Sequence, residues 1–180
     1  MTEPRTIYEQ MQHEYFVPDQ MIAVYFSQKK YDAVCEKGTK QPFYKPIETA
    51  PKDAKDLKDA VDKYKISEDD KYYLLQNCNK EKVLKVFEEI DQTFIENQNK
   101  RYVIFYLFAC HGIHKEGTQY VAINELDAET GFYQLFDAEK KIRDFAETYP
   151  NSYHIAIFAC CRQLFNPSWF TIKKNENEDP

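Results

Sequence analysis

The chain has 180 residues, 43% of them hydrophobic, with 14 tyrosines, 13 phenylalanines and one tryptophan. That is enough apolar surface for the core of one ordinary domain and too much for an intrinsically disordered chain. Its 24 basic and 30 acidic side chains leave a formal charge of -6, so no overall attraction selects nucleic acid or an anionic membrane as partner. Only four glycines occur, which argues against Gly-rich phosphate loops and turn-dense sandwiches.

The first twenty residues, MTEPRTIYEQMQHEYFVPDQ, contain no continuous apolar stretch, and no later run approaches the length of a membrane span. The expectation is a soluble, intracellular, cytoplasmic protein. Five cysteines, at 35, 78, 110, 160 and 161, are odd in number and form no CxxC pair. A disulfide framework is not expected, and thiol chemistry is open.

In chain order, MIAVYF (21–26) reads as a buried strand, followed by a polar, Pro-punctuated loop through Lys29 and Lys30 to Pro46. Ala54, Leu57, Ala60, Val61 and Tyr64 recur at helical spacing, with Thr49 as N-cap and Pro51 in the first turn. YYLL (72–75) is a second short strand. Asn79 then opens a second helix with the apolar stripe Val83, Leu84, Phe87, Ile90 and Phe94. YVIFYLFAC (102–110) carries no charge, as expected of a parallel strand covered on both faces. QYVAIN and GFYQLF predict a small antiparallel hairpin. Asp137 caps a third helix that carries Ile142, Phe145 and Ala146, ended by Pro150 and Asn151, before the last uncharged strand, YHIAIFAC (153–160). The alternation predicts an α/β three-layer sandwich with a mostly parallel central sheet, strand order 2-1-3-4 and helices on both faces. The expected organisation is an N-terminal extension (1–20), one domain (21–172) and a charged tail (173–180) whose composition favours disorder.

The two longest buried strands both end in Phe-Ala-Cys, at 108–110 and 158–160, and each is followed at once by a reactive side chain, His111 and Cys161. Ligands of open α/β sheets sit beyond the carboxyl ends of the strands, which places a His and a Cys delivered from two strands for joint action. The shared ending also gives Cys161 the register of His111, and Cys160 that of Cys110. An imidazole can take a thiol proton during attack and then protonate a leaving amine, the requirement for breaking a peptide bond. Gly112 lets backbone approach a substrate carbonyl, so its N–H and that of Cys161 form a candidate oxyanion hole.

The His-Gly after one strand, the Cys-Arg after the next and the separation of 50 residues resemble the caspase-like cysteine peptidases, the clan of caspases, metacaspases and paracaspases. The likeness runs from Met21 to about Arg162. KDAKDLKDAV is similar to the family's first helix and NCNKEKVLKVFEEI to the helix after its second strand. The resemblance implies a cysteine-type endopeptidase acting on protein or peptide substrates through a thioester. His111 and Cys161 are then the catalytic dyad and Gly112 an oxyanion donor, with no cofactor and no metal. Two positions depart from the family pattern: Ala159 stands where Gln or Asp is usual, and Gln163 where caspases have Gly. The chain stops 19 residues after Cys161 and so resembles a large subunit alone. A separate small subunit or a homodimer is therefore an expected partner. QLFNPSWFTI (163–172) either folds over the edge beside the last strand or awaits that partner.

Two other readings stand beside this one. Cys110, His111, His114, Cys160 and Cys161 have no standard zinc-finger spacing. A caspase-like fold acting only as a protein-interaction module is the alternative function. Cys35, Cys78, Cys110 and Cys160 read as small hydrophobes, and His13, His114 and His154 carry no catalytic context.

Overall fold

The computed structural model describes residues 16–32, 44–115, 117–129 and 132–160, together with the backbone of 163–164. Four apolar runs form the central sheet: β1 (Gln20–Ser27), β2 (Lys71–Gln76), β3 (Tyr102–Ala109) and, later in the chain, the strand Ser152–Ala159. Between them lie α1 (Ala50–Val61), which ends in a 3-10 turn over Asp62–Tyr64, and α2 (Lys80–Glu96). A second sheet follows β3, made of β4 (Gly112–Lys115), β5 (Thr118–Leu126) and β6 (Tyr133–Phe136). Then come α3 (Ala138–Thr148), β7 (Ser152–Ala159) and the two-residue β8 (Gln163–Leu164).

The central sheet has the order β2-β1-β3-β7, and every neighbouring pair in it is parallel. This is the order expected from the sequence. The pleat divides its side chains cleanly. Ala23 and Tyr25 of β1 with Leu107 and Ala109 of β3 pack on one face against Ala50 and Ala54 of α1. Ile22, Val24 and Phe26 with Ile104, Tyr106 and Phe108 pack on the other, against α2 and α3. These are the three layers. Phe87 of α2 joins them, its ring 5.9 Å from Tyr106, 5.3 Å from Phe136 and 5.7 Å from Phe145. Full burial of one such side chain contributes about 1.5–3 kcal/mol.

The helix starts follow sequence logic, with one exception. The Asn79 side chain accepts from Lys82 N–H at 3.1 Å and Asp137 from Lys140 N–H at 2.9 Å. Thr49 occupies the N-cap position of α1, but its backbone is already helical and its side chain makes no capping bond. The apolar stripes are also narrower than the spacing suggests. Ala60 and Ala146 are exposed, Tyr64 is 75% exposed in the 3-10 turn, and Val86 takes the core place expected of Leu84. Positions at the margin of each apolar arc reach water.

The predicted hairpin is part of a larger sheet. β5 and β6 are antiparallel, but β4 pairs with β5 and β8 pairs in parallel with β4, giving the order β6-β5-β4-β8. The expected N-terminal extension is described only from Phe16 onward, and Cys35, His13, Cys161, Arg162 and residues 165–180 lie outside the described residues. Among the described residues, no helix is long and apolar enough to cross a membrane.

Candidate functional site

The site is built at the carboxyl ends of β1 and β3. Asn77, just beyond β2, adopts a left-handed conformation at φ 47°, one that asparagine tolerates better than most residues. Its backbone N–H donates to Ser27 C=O at 2.9 Å, and its side-chain oxygen accepts from the N–H groups of Lys29 and Lys30 at 2.8 and 3.2 Å. This pins the exit from β1. On the far side of residues 33–43, Ile47 N–H donates to Lys29 C=O at 3.0 Å, and Lys29 pairs with Glu48. The segments around Tyr31 and Tyr44 therefore run together beneath His111.

His111 is held at three points by these segments. Its main-chain N–H donates to the Tyr31 hydroxyl at 2.8 Å. Its ring stacks on Tyr44, with centroids 4.3 Å apart and planes 13° apart, and meets Tyr31 edge-on at 4.7 Å. Its Nε2 lies 2.8 Å from Lys45 C=O. A carbonyl can only accept, so Nε2 carries the hydrogen and Nδ1 keeps the lone pair. Lys45 precedes Pro46, which restricts it to extended backbone and fixes the direction of that carbonyl. Burial pushes the His111 imidazole below its ordinary pKa, partly opposed by the bond to Lys45.

The strand registers flank His111 on both sides. β3 and β7 pair Ala109 with Ala159, while β4 and β8 pair Ile113 with Gln163. The offset is the same 50 residues on both sides of His111. Pleat parity itself runs only to Cys110 and Cys160, which both pack on the α2 and α3 face, because the backbone bends at these two residues. His111 stands beyond the bend, its C=O accepting from Ala122 N–H of β5 at 2.9 Å. Gly112 is buried at the start of β4. Adjacent residues of a strand face their N–H and C=O to opposite sides, so with His111 turned to β5, Gly112 turns to the side of β8.

Cys78, Cys110, Cys160 and His154 have structural surroundings. Cys78 and Cys110 are buried, and Cys160 is half-buried with Gln119 Nε2 3.7 Å from its sulfur. Burial pushes the Cys78 thiol up to about 11, which suits packing rather than nucleophilic attack. His154 Nδ1 lies 3.1 Å from the Tyr106 hydroxyl and Nε2 2.7 Å from Ser152 Oγ. Among the described residues, no three His, Cys, Asp or Glu side chains form a group that could hold a metal ion. Sequence reading missed Tyr31, Tyr44 and Lys45; the one local signal was Pro46 after Lys45.

No protein-family model matches the chain, and no curated protein sequence matches it significantly. Among solved structures, the Drosophila initiator caspase Dronc is similar to this chain with a TM-score of 0.46 and 16% identity, covering 77% of this chain and 47% of that one. The chain thus spans about half the length of that structure.

Proposed function

We propose that this chain is a cysteine-type endopeptidase of caspase-like kind, with Cys161 as nucleophile and His111 as its base and acid. The observation that carries the reading is the common 50-residue offset: Ala109 opposite Ala159 before His111, and Ile113 opposite Gln163 after it. Cys161 stands in sequence between these two paired points, at the same 50-residue separation from His111, which supports reading the two as partners.

The chemistry follows from the tautomer. With Nε2–H engaged by Lys45, Nδ1 takes the Cys161 thiol proton. The thiolate sulfur bonds to the substrate carbonyl carbon, and the C=O π pair moves to oxygen, beside the N–H groups of Gly112 and Cys161. Collapse breaks the C–N bond, and the proton on Nδ1 goes to the leaving amine. Water then adds to the thioester carbonyl, giving a proton to Nδ1, and the S–C bond breaks to release acid.

A partner belongs to this reading. β7 ends the central sheet among the described residues, and its outer face leaves Tyr153 58% and Ile157 43% exposed. A small subunit or a second copy would cover it. The same exposed face favours the second reading, an interaction module without turnover.

The discriminating experiment is treatment of the full chain with a peptide carrying a thiol-reactive electrophile, followed by mass mapping, alongside hydrolysis of a fluorogenic peptide library. Selective labelling of Cys161, lost in His111→Ala, supports the dyad. Labelling spread over Cys35 and Cys161 alike, with no hydrolysis, supports the module.

A further inference from the structure

We propose that Tyr31 is a positioning residue for His111, its hydroxyl completing the backbone rung between His111 and Ala122 and so setting where the imidazole stands. This rests on the reading of His111 as the general base.

An antiparallel rung normally carries two direct N–H to O=C bonds. Here only one is direct, from Ala122 N–H to His111 C=O at 2.9 Å. In the other, His111 N–H donates to the Tyr31 hydroxyl at 2.8 Å, and that hydroxyl donates to Ala122 C=O at 3.1 Å. The phenol oxygen does the work of an inserted water. It spreads the rung on one side, at the residue where the chain leaves the central sheet for β4. Unlike water, it belongs to a side chain whose own ring meets the imidazole edge-on at 4.7 Å.

The tyrosine has little freedom. It is 1% exposed, its own C=O accepts from the Tyr133 hydroxyl at 2.7 Å, and its ring lies edge-on to Tyr44 and Tyr133 at 5.5 Å each. Next in the chain, Asp32 N–H donates to the Asn124 side chain at 2.9 Å, which returns a bond to the Asp32 carboxylate at 2.6 Å. Burial pushes the phenol far above its ordinary pKa, so it keeps the proton it needs to accept and donate at once. Phenylalanine would retain the ring and lose the bridge. His111 N–H and Ala122 C=O would then either close directly, which draws the His111 backbone away from Tyr44 and Lys45, or stay unpaired at a cost, which leaves the His111 backbone without the bond that fixes it.

The test is nitrogen NMR of the imidazoles in the full chain, comparing wild type with Tyr31→Phe and with Tyr106→Phe. The Tyr106 hydroxyl contacts His154 and is the control for loss of a buried phenol. The expected result is a single Nε2–H tautomer at His111 in wild type and in Tyr106→Phe, and a tautomer mixture in Tyr31→Phe. Alkylation of Cys161 at pH 7 should slow roughly ten- to a hundredfold in Tyr31→Phe alone, the scale of a misplaced catalytic group. Unchanged His111 signals in a folded Tyr31→Phe overturn the proposal. Should that variant not fold, wild type decides: a slowly exchanging Tyr31 hydroxyl proton with a cross-peak to the His111 amide supports the bridge, and its absence overturns it. A chain that hydrolyses no peptide yet shows the tautomer change counts against the dyad and for the positioning, because the NMR readout needs no turnover.

Discussion

Tyr44 lies flat on His111 at 4.3 Å, and Tyr133 stacks on Tyr44 in turn at 5.2 Å. The stack shields the imidazole from water, and burial is the larger influence on its pKa, holding it below the ordinary value. Its base form therefore persists to lower pH than that of a free imidazole. Tyr44→Ala should open the ring to water and raise the His111 pKa toward about 6.5, carrying the acid limb of Cys161 alkylation upward with it. NMR titration of His111 checks this, and an unmoved or lowered pKa would refute it.

His154 makes stability depend on acid. Burial pushes its imidazole down to about 4, below the unfolded value of about 6.5. The folded state thus binds fewer protons than the unfolded chain between these values, and stability rises with pH there. The contribution is full above pH 6.5 and is lost as pH falls through 4. Allowing for its partial exposure, it amounts to about 2 kcal/mol. Urea midpoints at pH 7.5, 5.5 and 4 should fall in that order, with a shallower decline in His154→Gln.

Asp70 belongs to the acidic pair at 69 and 70, yet its carboxylate serves the backbone. It accepts from Met21 N–H at 2.8 Å, Ile66 N–H at 2.7 Å and Ser67 N–H at 3.2 Å. It thereby ties the turn before β2 to the start of β1. Asp70→Ala strips these donors of their partner and should cost about 1–3 kcal/mol, read as a lower urea midpoint at unchanged slope. Asp69→Ala, which loses only an exposed contact with Lys100, should stay within about 0.5 kcal/mol of wild type.

The outer face of β7 is the place to test for a partner. Tyr153→Lys and Ile157→Lys replace side chains that are already 58% and 43% exposed, so the folded monomer should lose less than about 1 kcal/mol. If a second copy covers this face, the double variant should sediment as a monomer at concentrations where wild type dimerises. A wild-type chain monomeric at every concentration would leave a different subunit as the occupant.

The amino-acid sequence by itself determined the central sheet. Four short runs without charge read as strands, and right-handed crossovers then allow few orders; β1 and β3 are the buried pair, whereas the edge strands β2 and β7 are only partly covered, against the reading of 153–160 as a buried strand. The observed β2-β1-β3-β7 order is the one expected. The positions of His111 and Gly112 at the end of β3 were legible for the same reason, since a strand end follows from where its apolar run stops. The second sheet was legible only in part. GIHK and the pair Gln163–Leu164 are too short to show an alternation, and they are strands because neighbouring backbone offers them bonds.

Only the tertiary structure decided how His111 is held. Its hydroxyl partner Tyr31 is 80 residues away and its carbonyl partner Lys45 is 66 away. No local period encodes such a pairing. It arises when Asn77, itself beyond β2, fixes the exit of β1 and brings both segments under the end of β3. The helix margins were decided in the same way. Ala60, Leu84 and Ala146 satisfy helical spacing as well as their buried neighbours do, and only the packing of each helix on the sheet leaves them exposed.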